Sequence, residues 1–247
     1  TRSLSIAPTA SSMKLMGVLG GTFDPIHTGH LRLAIEVKER LNLGHLRLIP
    51  VGNPNHRGQP TASAALRLSM LRHACDEAAS QASVISSGNK SDNARASNSS
   101  IIVDDRELER EGVSYMIDTL ISLKKDFPND ALCLVVGIDA YAGLAAWHRW
   151  KELFDYCHIV VATRPSANRI GSEISDQVLL EFVGDKILQS HEELNQTSHG
   201  KIAFVDIPLL EVSSTDIRRR RREGLDISYL VPSSVKKIIE QQSLYES

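Results

Sequence analysis

The chain has 247 residues, of which 42% are hydrophobic and 23% charged, enough for one sizeable α/β domain of ordinary globular composition. Its formal net charge of −2 supplies no overall positive field to hold it on nucleic acid or an anionic membrane. A phosphate site is not excluded, because that needs only a few donors in one place.

Residues 1–12 hold Ser, Ala, Thr and one Arg but no acid. They read as a disordered tail or an appended remnant, outside a fold that begins at Met13. Residues 15–20 form a short apolar run that ends in Gly20-Gly21, the pattern of a buried strand entering a tight turn. Residues 29–41 have helical periodicity, with Leu31, Ala34, Ile35 and Leu41 facing one way. A second strand is expected at 45–51 and a second amphipathic helix at 62–79. Residues 80–100 are rich in Ser, Asn and Ala. They lack the apolar surface to offset their ordering entropy and read as a flexible insertion.

A third strand at 101–104, a helix at 115–127 and a strongly apolar fourth strand at 131–136 follow. Short helical pieces lead to a fifth strand at 158–163. A helix at 175–190, a sixth strand at 202–205 and two C-terminal helices near 214–222 and 233–242 complete the pattern. The small helical part from 214 belongs to the same single domain. No apolar run approaches the ~18 residues of a membrane span. Cys75, Cys133 and Cys157 are odd in number and form no CxxC, which reads as reduced thiols in a cytoplasmic setting.

Strands alternating with helices imply a mostly parallel sheet covered on both faces. Ligands of such sheets bind at the carboxyl ends of the strands. Three segments directly follow strands and should share that edge: 20–30, 137–150 and 207–218. In the first, Gly20 and Gly21 let the backbone approach a ligand. The next helix aims its free amides and positive dipole end at the same place, which suits a phosphate. His27 and His30, three apart at the helix start, can lie on one face and donate to charge on a phosphoryl oxygen.

Taken together, the segment GGTFDPIHTGHL resembles the signature of the HxGH nucleotidylyltransferase superfamily. It is most similar to that of the nicotinate and nicotinamide mononucleotide adenylyltransferases, in the bacterial nicotinate-nucleotide type. Val212-Ser213-Ser214-Thr215-Asp216-Ile217-Arg218 resembles that family's ISSTxxR. Gly137-Ile138-Asp139, followed by Trp147, resembles its GxD…W element, with His148 where the family usually has Tyr. Ser114-Tyr115-Met116-Ile117-Asp118-Thr119 resembles SYTxDT, with Met116 in place of Thr.

The resemblance implies a Rossmann-like doubly wound fold that transfers the adenylyl group of ATP to nicotinate mononucleotide, releasing pyrophosphate. It implies catalytic roles for His27, His30 and Arg218. It also implies ATP contacts from Gly20, Gly21, Thr22, Phe23, Gly137, Asp139, Ser213, Ser214 and Thr215. Mononucleotide contacts would come from Asp24, Arg57, Tyr115, Met116, Thr119, Trp147 and His148. Mg²⁺ is expected through the ATP phosphates and not through a protein metal site. Nucleic acid and membrane are not expected partners, and a homo-oligomer remains open. The alternatives are nicotinamide mononucleotide or phosphopantetheine as acceptor, or a non-catalytic regulatory protein that binds nucleotide on the same fold.

Overall fold

The computed structural model describes residues 13–54, 58–86, 100–164, 176–208 and 210–246. The expected tail at 1–12, Arg57 and most of the expected insertion lie outside them. Six strands form one sheet: β1 (Leu15–Gly21), β2 (His45–Pro50), β3 (Ser100–Val103), β4 (Ala131–Gly137), β5 (His158–Thr163) and β6 (Ile202–Asp206). Their order is β3-β2-β1-β4-β5-β6, and all five neighbouring pairs are parallel.

The apolar strands explain why both faces are covered. Cys133 and Val135 of β4 enter one core, and Leu132, Leu134 and Val136 enter the other. Alternate residues must point to opposite faces, so a strand apolar throughout needs helices on each side. The first core packs α1 (Thr28–Arg40), α2 (Ala64–Ser86), α6 (Ser214–Arg222) and α7 (Ser233–Gln241). The second packs α3 (Met116–Asp126), α4 (Ile138–Ala142) and α5 (Gln177–Val183). The chain changes face between β3 and β4. The helices after β1 and β4 therefore lie on opposite faces, and the carboxyl ends of those two strands are where sheets of this kind bind ligands.

Several expected boundaries shift. Residues 80–86, expected as flexible insertion, continue α2. Poor apolar content did not end the helix, because Ala, Gln and Ser are tolerated where the preceding turns are already anchored. The helix expected over 175–190 is only Gln177–Val183 and stops at Gly184. A 3-10 helix, His191–Gln196, stands after it, opened by a Ser190–Glu193 capping box. In α1, Ala34 and Val37 are buried whereas Ile35 is 38% exposed, so the buried stripe is narrower than its sequence pattern.

All three cysteines are free thiols. Burial pushes Cys133 up to about 12 and, with help from Asp76, Cys75 up to about 11. At those values the reactive thiolate is essentially absent at neutral pH. No helix among the described residues is long and apolar enough to cross a membrane.

Candidate active site

The turn between β1 and α1 adopts a shape that an unsupported chain would avoid. Phe23 has φ of 49°, uncommon for a bulky residue, and its ring is almost wholly buried. The Asp24–Pro25 peptide is cis. A β-carbon on Gly21 would sit 3.0 Å from the Phe23 ring, so the second glycine makes room for the turn.

His27 is the N-cap of α1 and His30 its third residue. Their rings stack with centroids 3.7 Å apart at 25°, and Phe23 meets His30 edge-on at 5.0 Å. The His27 amide donates to His30 Nδ1 at 3.4 Å. This leaves the proton of a neutral His30 on Nε2, where it can be donated to a ligand. The His30 amide donates to the His27 carbonyl at 3.0 Å. His27 Nδ1 is buried without any hydrogen-bond partner, an orphan polar atom in a place where a ligand is expected. A β-carbon on Gly29 would lie 3.0 Å from that same nitrogen. The glycine of HTGH is thus what lets the imidazole fold back over the helix end.

Burial lowers the His27 pKa to about 4. Burial, and then repulsion from His27, takes His30 well below the ordinary value. Both rings are therefore neutral donors in the ligand-free protein at pH 7. The unfolded chain, with its histidines near 6.5, binds more protons than the folded one between pH 6.5 and 4. The stability contributed by neutral His27 is fully present above about 6.5 and drains away as pH falls toward 4. We expect a loss on the order of 2 kcal/mol from His27 over that window. A His27→Asn variant, which keeps a good N-cap, should show a smaller drop in urea midpoint between pH 7 and pH 4.5. An equal drop in both proteins would exclude His27 as the cause.

Helix α6 docks onto the same turn. Ser213 caps it, accepting from the Asp216 amide at 3.1 Å. Ser214 Oγ donates to the Pro25 carbonyl at 2.9 Å. Arg218 Nη1 donates to the Asp24 carbonyl at 2.7 Å, and Nη2 to Thr215 Oγ1 at 3.3 Å. Segments 189 to 194 residues apart in sequence therefore meet, and the HTGH turn and the SST helix start share one edge of the sheet. Three of the following arginines are engaged elsewhere: Arg219 pairs with Asp216 and Glu223, Arg220 donates to the Asp226 carbonyl, and Arg221 pairs with Glu246.

On the β4 side, Gly137 caps α4 and Asp139 is exposed in its first turn. Tyr115, the N-cap of α3, lies 4.1 Å centroid to centroid from His148. A β-carbon on Gly20 would lie 2.6 Å from Met116 Cε. The start of α3 is thus beside the end of β1, and the two expected groups of contacts adjoin one another. Trp147 is partly buried against the second core, and Trp150 packs edge-on against Phe182 at 5.0 Å.

Two side chains expected to contact the mononucleotide are engaged within the fold. Asp24 is only 4% exposed. Its carboxylate accepts from the amides of Thr61 and Ala62 and from the Tyr245 hydroxyl, so it is spent on the fold. Thr119 is fully buried and donates to Glu107 at 2.6 Å. Sequence reading also passed over Arg67, whose buried guanidinium donates to the Thr22 carbonyl at 2.8 Å. A signal was present: Arg67 shares the helical stripe of Met70, Leu71 and Ala74, where a charge is out of place.

Comparison with known proteins now bears on this arrangement. Residues 18–220 match the model of the cytidylyltransferase-like family. The chain belongs to that family. Within it, the curated relatives place the chain among the nicotinate-nucleotide adenylyltransferases. A probable nicotinate-nucleotide adenylyltransferase of Methylococcus capsulatus is 39% identical over 231 residues, covering 94% of this chain and 99% of the relative. One of the same name from Pseudomonas putida strain GB-1 is 40% identical, covering 96% and 98%. The solved structure of Plasmodium falciparum nicotinic acid mononucleotide adenylyltransferase complexed with NaAD superposes with a TM-score of 0.65. That pair is 17% identical and covers 94% of this chain and 98% of the other, a likeness of fold.

Proposed function

We propose that the chain joins the adenylyl group of ATP to nicotinate mononucleotide, giving nicotinate adenine dinucleotide and pyrophosphate in NAD biosynthesis. The observation that carries this reading is the stacked His27–His30 pair at the switch point of the sheet, with Arg218 docked on the same turn. The curated relatives supply the acceptor. The mononucleotide phosphate attacks the α-phosphorus in line, and the bond to the pyrophosphate oxygen breaks. That phosphate is already anionic near neutral pH, so no strong general base is needed. Catalysis is then positioning and charge stabilisation.

His30 Nε2–H and the His27 ring serve as donors to the α- and β-phosphates, and Arg218 receives the leaving pyrophosphate. The exposed start of α6 and the Gly20–Gly21 backbone cradle the triphosphate. The Tyr115–His148 side takes the pyridine end. Among the described residues no group of three or more His, Cys, Asp or Glu is placed to hold a metal. Mg²⁺ would come with ATP, as the family resemblance implies, and would supply neutralisation of phosphate charge there. The paired histidines also weigh against a purely regulatory nucleotide-binding protein, which has no need of donors aimed at a breaking bond. With free thiols and substrates of this kind, we place the protein in the cytoplasm.

The test mixes protein, ATP and Mg²⁺ with nicotinate or nicotinamide mononucleotide and follows pyrophosphate and dinucleotide. Faster release with nicotinate mononucleotide is expected. Nucleotide binding without release would favour the regulatory alternative, and faster release with the amide would reverse the acceptor.

A further inference from the structure

The β1–α1 turn combines a left-handed Phe23 with a buried, unpartnered His27 nitrogen. Such a conformation persists only where its surroundings over-determine it. Two of its anchors come from residues with no place in the chemistry described above.

The first is Tyr245. It lies on the C-terminal segment after α7, is 3% exposed, and is held at φ of 63°. Its hydroxyl donates to Asp24 Oδ1 at 2.7 Å across 221 residues of sequence. The segment that carries it is itself tied down. Glu77 of α2 accepts from the Ser233 and Ser234 amides at the start of α7, and Glu246 pairs with Arg221 of α6. Burial, and then the hydrogen bond to Asp24, raise the Tyr245 pKa. The hydroxyl thus remains a donor over the whole working range.

The second is Arg67. It is 1% exposed, and its guanidinium joins Thr22 of the turn to Gly52 after β2, at 2.8 and 3.5 Å. Asp24 completes the frame by accepting the Thr61 and Ala62 amides at 2.7 and 3.1 Å. The Asp24 carboxylate therefore meets three donors, and its own carbonyl meets Arg218. A residue that the sequence offers as a ligand contact is the hub that couples the C-terminal segment, the loop before α2, and α6 to the catalytic turn.

We propose that Tyr245 and Arg67 are positioning residues for adenylyl transfer, acting through Asp24 and Thr22 to hold the turn that aims His27 and His30. This rests on the adenylyltransferase reading. A misplacement of about 1 Å in a reacting group is enough to lower a rate by up to about 10²-fold, whereas ground-state binding of ATP draws on many other contacts. The signature is therefore a fall in kcat with KM retained.

The experiment compares full-length wild type, Tyr245→Phe and Arg67→Lys in the dinucleotide-forming assay, with kcat, both KM values and melting temperature measured on each. Tyr245→Phe deletes one oxygen and keeps the ring in its pocket. It should lower kcat by about tenfold, with KM for ATP and for nicotinate mononucleotide within about twofold of wild type. Arg67→Lys keeps the charge but loses the fork between Thr22 and Gly52, and should show the same split. Wild-type kcat in Tyr245→Phe, even with a lowered melting temperature, would make Tyr245 merely structural and overturn the proposal. If Arg67→Lys does not fold, Tyr245→Phe still decides. A wild-type protein that forms no dinucleotide would defeat the underlying reading instead, and is told apart because it fails before any variant is compared.

Discussion

His30→Ala is expected to cut kcat for dinucleotide formation by about 10²-fold or more, the usual cost of removing a preorganised donor from a developing charge. The geometry gives the reason. His30 Nδ1 is engaged by the His27 amide, and its ring stacks on His27 and meets Phe23 in a T-shaped contact. Only Nε2–H is left for a phosphate, and it needs no reorganisation to be used. The same substitution also removes half of a capping arrangement at α1. Helix stability should fall by about 1 kcal/mol from that cause alone. His30→Gln separates the two effects: glutamine at this helix position can still reach back to the N-cap amide, yet it presents no imidazole donor. Gln should recover the melting temperature and not the turnover. Turnover near normal in His30→Ala would remove the residue from the mechanism.

Arg218→Ala should be the other severe variant, with kcat lower by about 10²-fold and pyrophosphate release most affected. In the ligand-free protein Arg218 is partly spent on the Asp24 carbonyl and on Thr215. It thus links the start of α6 to the turn that bears His27 before any phosphate arrives. Alanine loses both the link and the charge, and lysine keeps the charge alone. We expect Arg218→Lys to regain only a minor part of the rate, because a point charge cannot span the carbonyl and a phosphate as a planar fork does. Single-turnover and steady-state rates on both variants check this. Full recovery with lysine would show that the charge suffices and that the fork to the turn is irrelevant.

Much of the fold was legible in sequence because its signals are local. Most strands of the sheet are short apolar runs, and helices between them show periodic apolar faces. The alternation alone requires a parallel sheet covered on both sides. The grouping of the candidate site was legible for a related reason. Gly20-Gly21 and the two histidines of HTGH lie within eleven residues, so one strand, one turn and one helix end suffice to bring them together. Helix lengths were less legible. α2 runs on to Ser86 through a stretch that looks like loop, since an anchored helix carries weakly apolar turns that would not form alone.

What sequence by itself determined is the chemistry available: a strand–turn–helix of a kind suited to phosphate with two imidazoles, an SST helix start bearing an arginine, and the family these spell out. What only the tertiary structure decided is where the remaining polar groups are spent. Asp24 and Thr119 stand in motifs that suggest ligand contacts, yet burial turns both inward, to Thr61, Ala62 and Tyr245 in one case and to Glu107 in the other. Tyr245 has no pattern around it that marks a role. Its importance comes from a hydrogen bond across 221 residues, and no local propensity or periodicity encodes a contact of that separation. A buried carboxylate must find donors wherever the fold supplies them, and that supply is fixed only when the helices have packed.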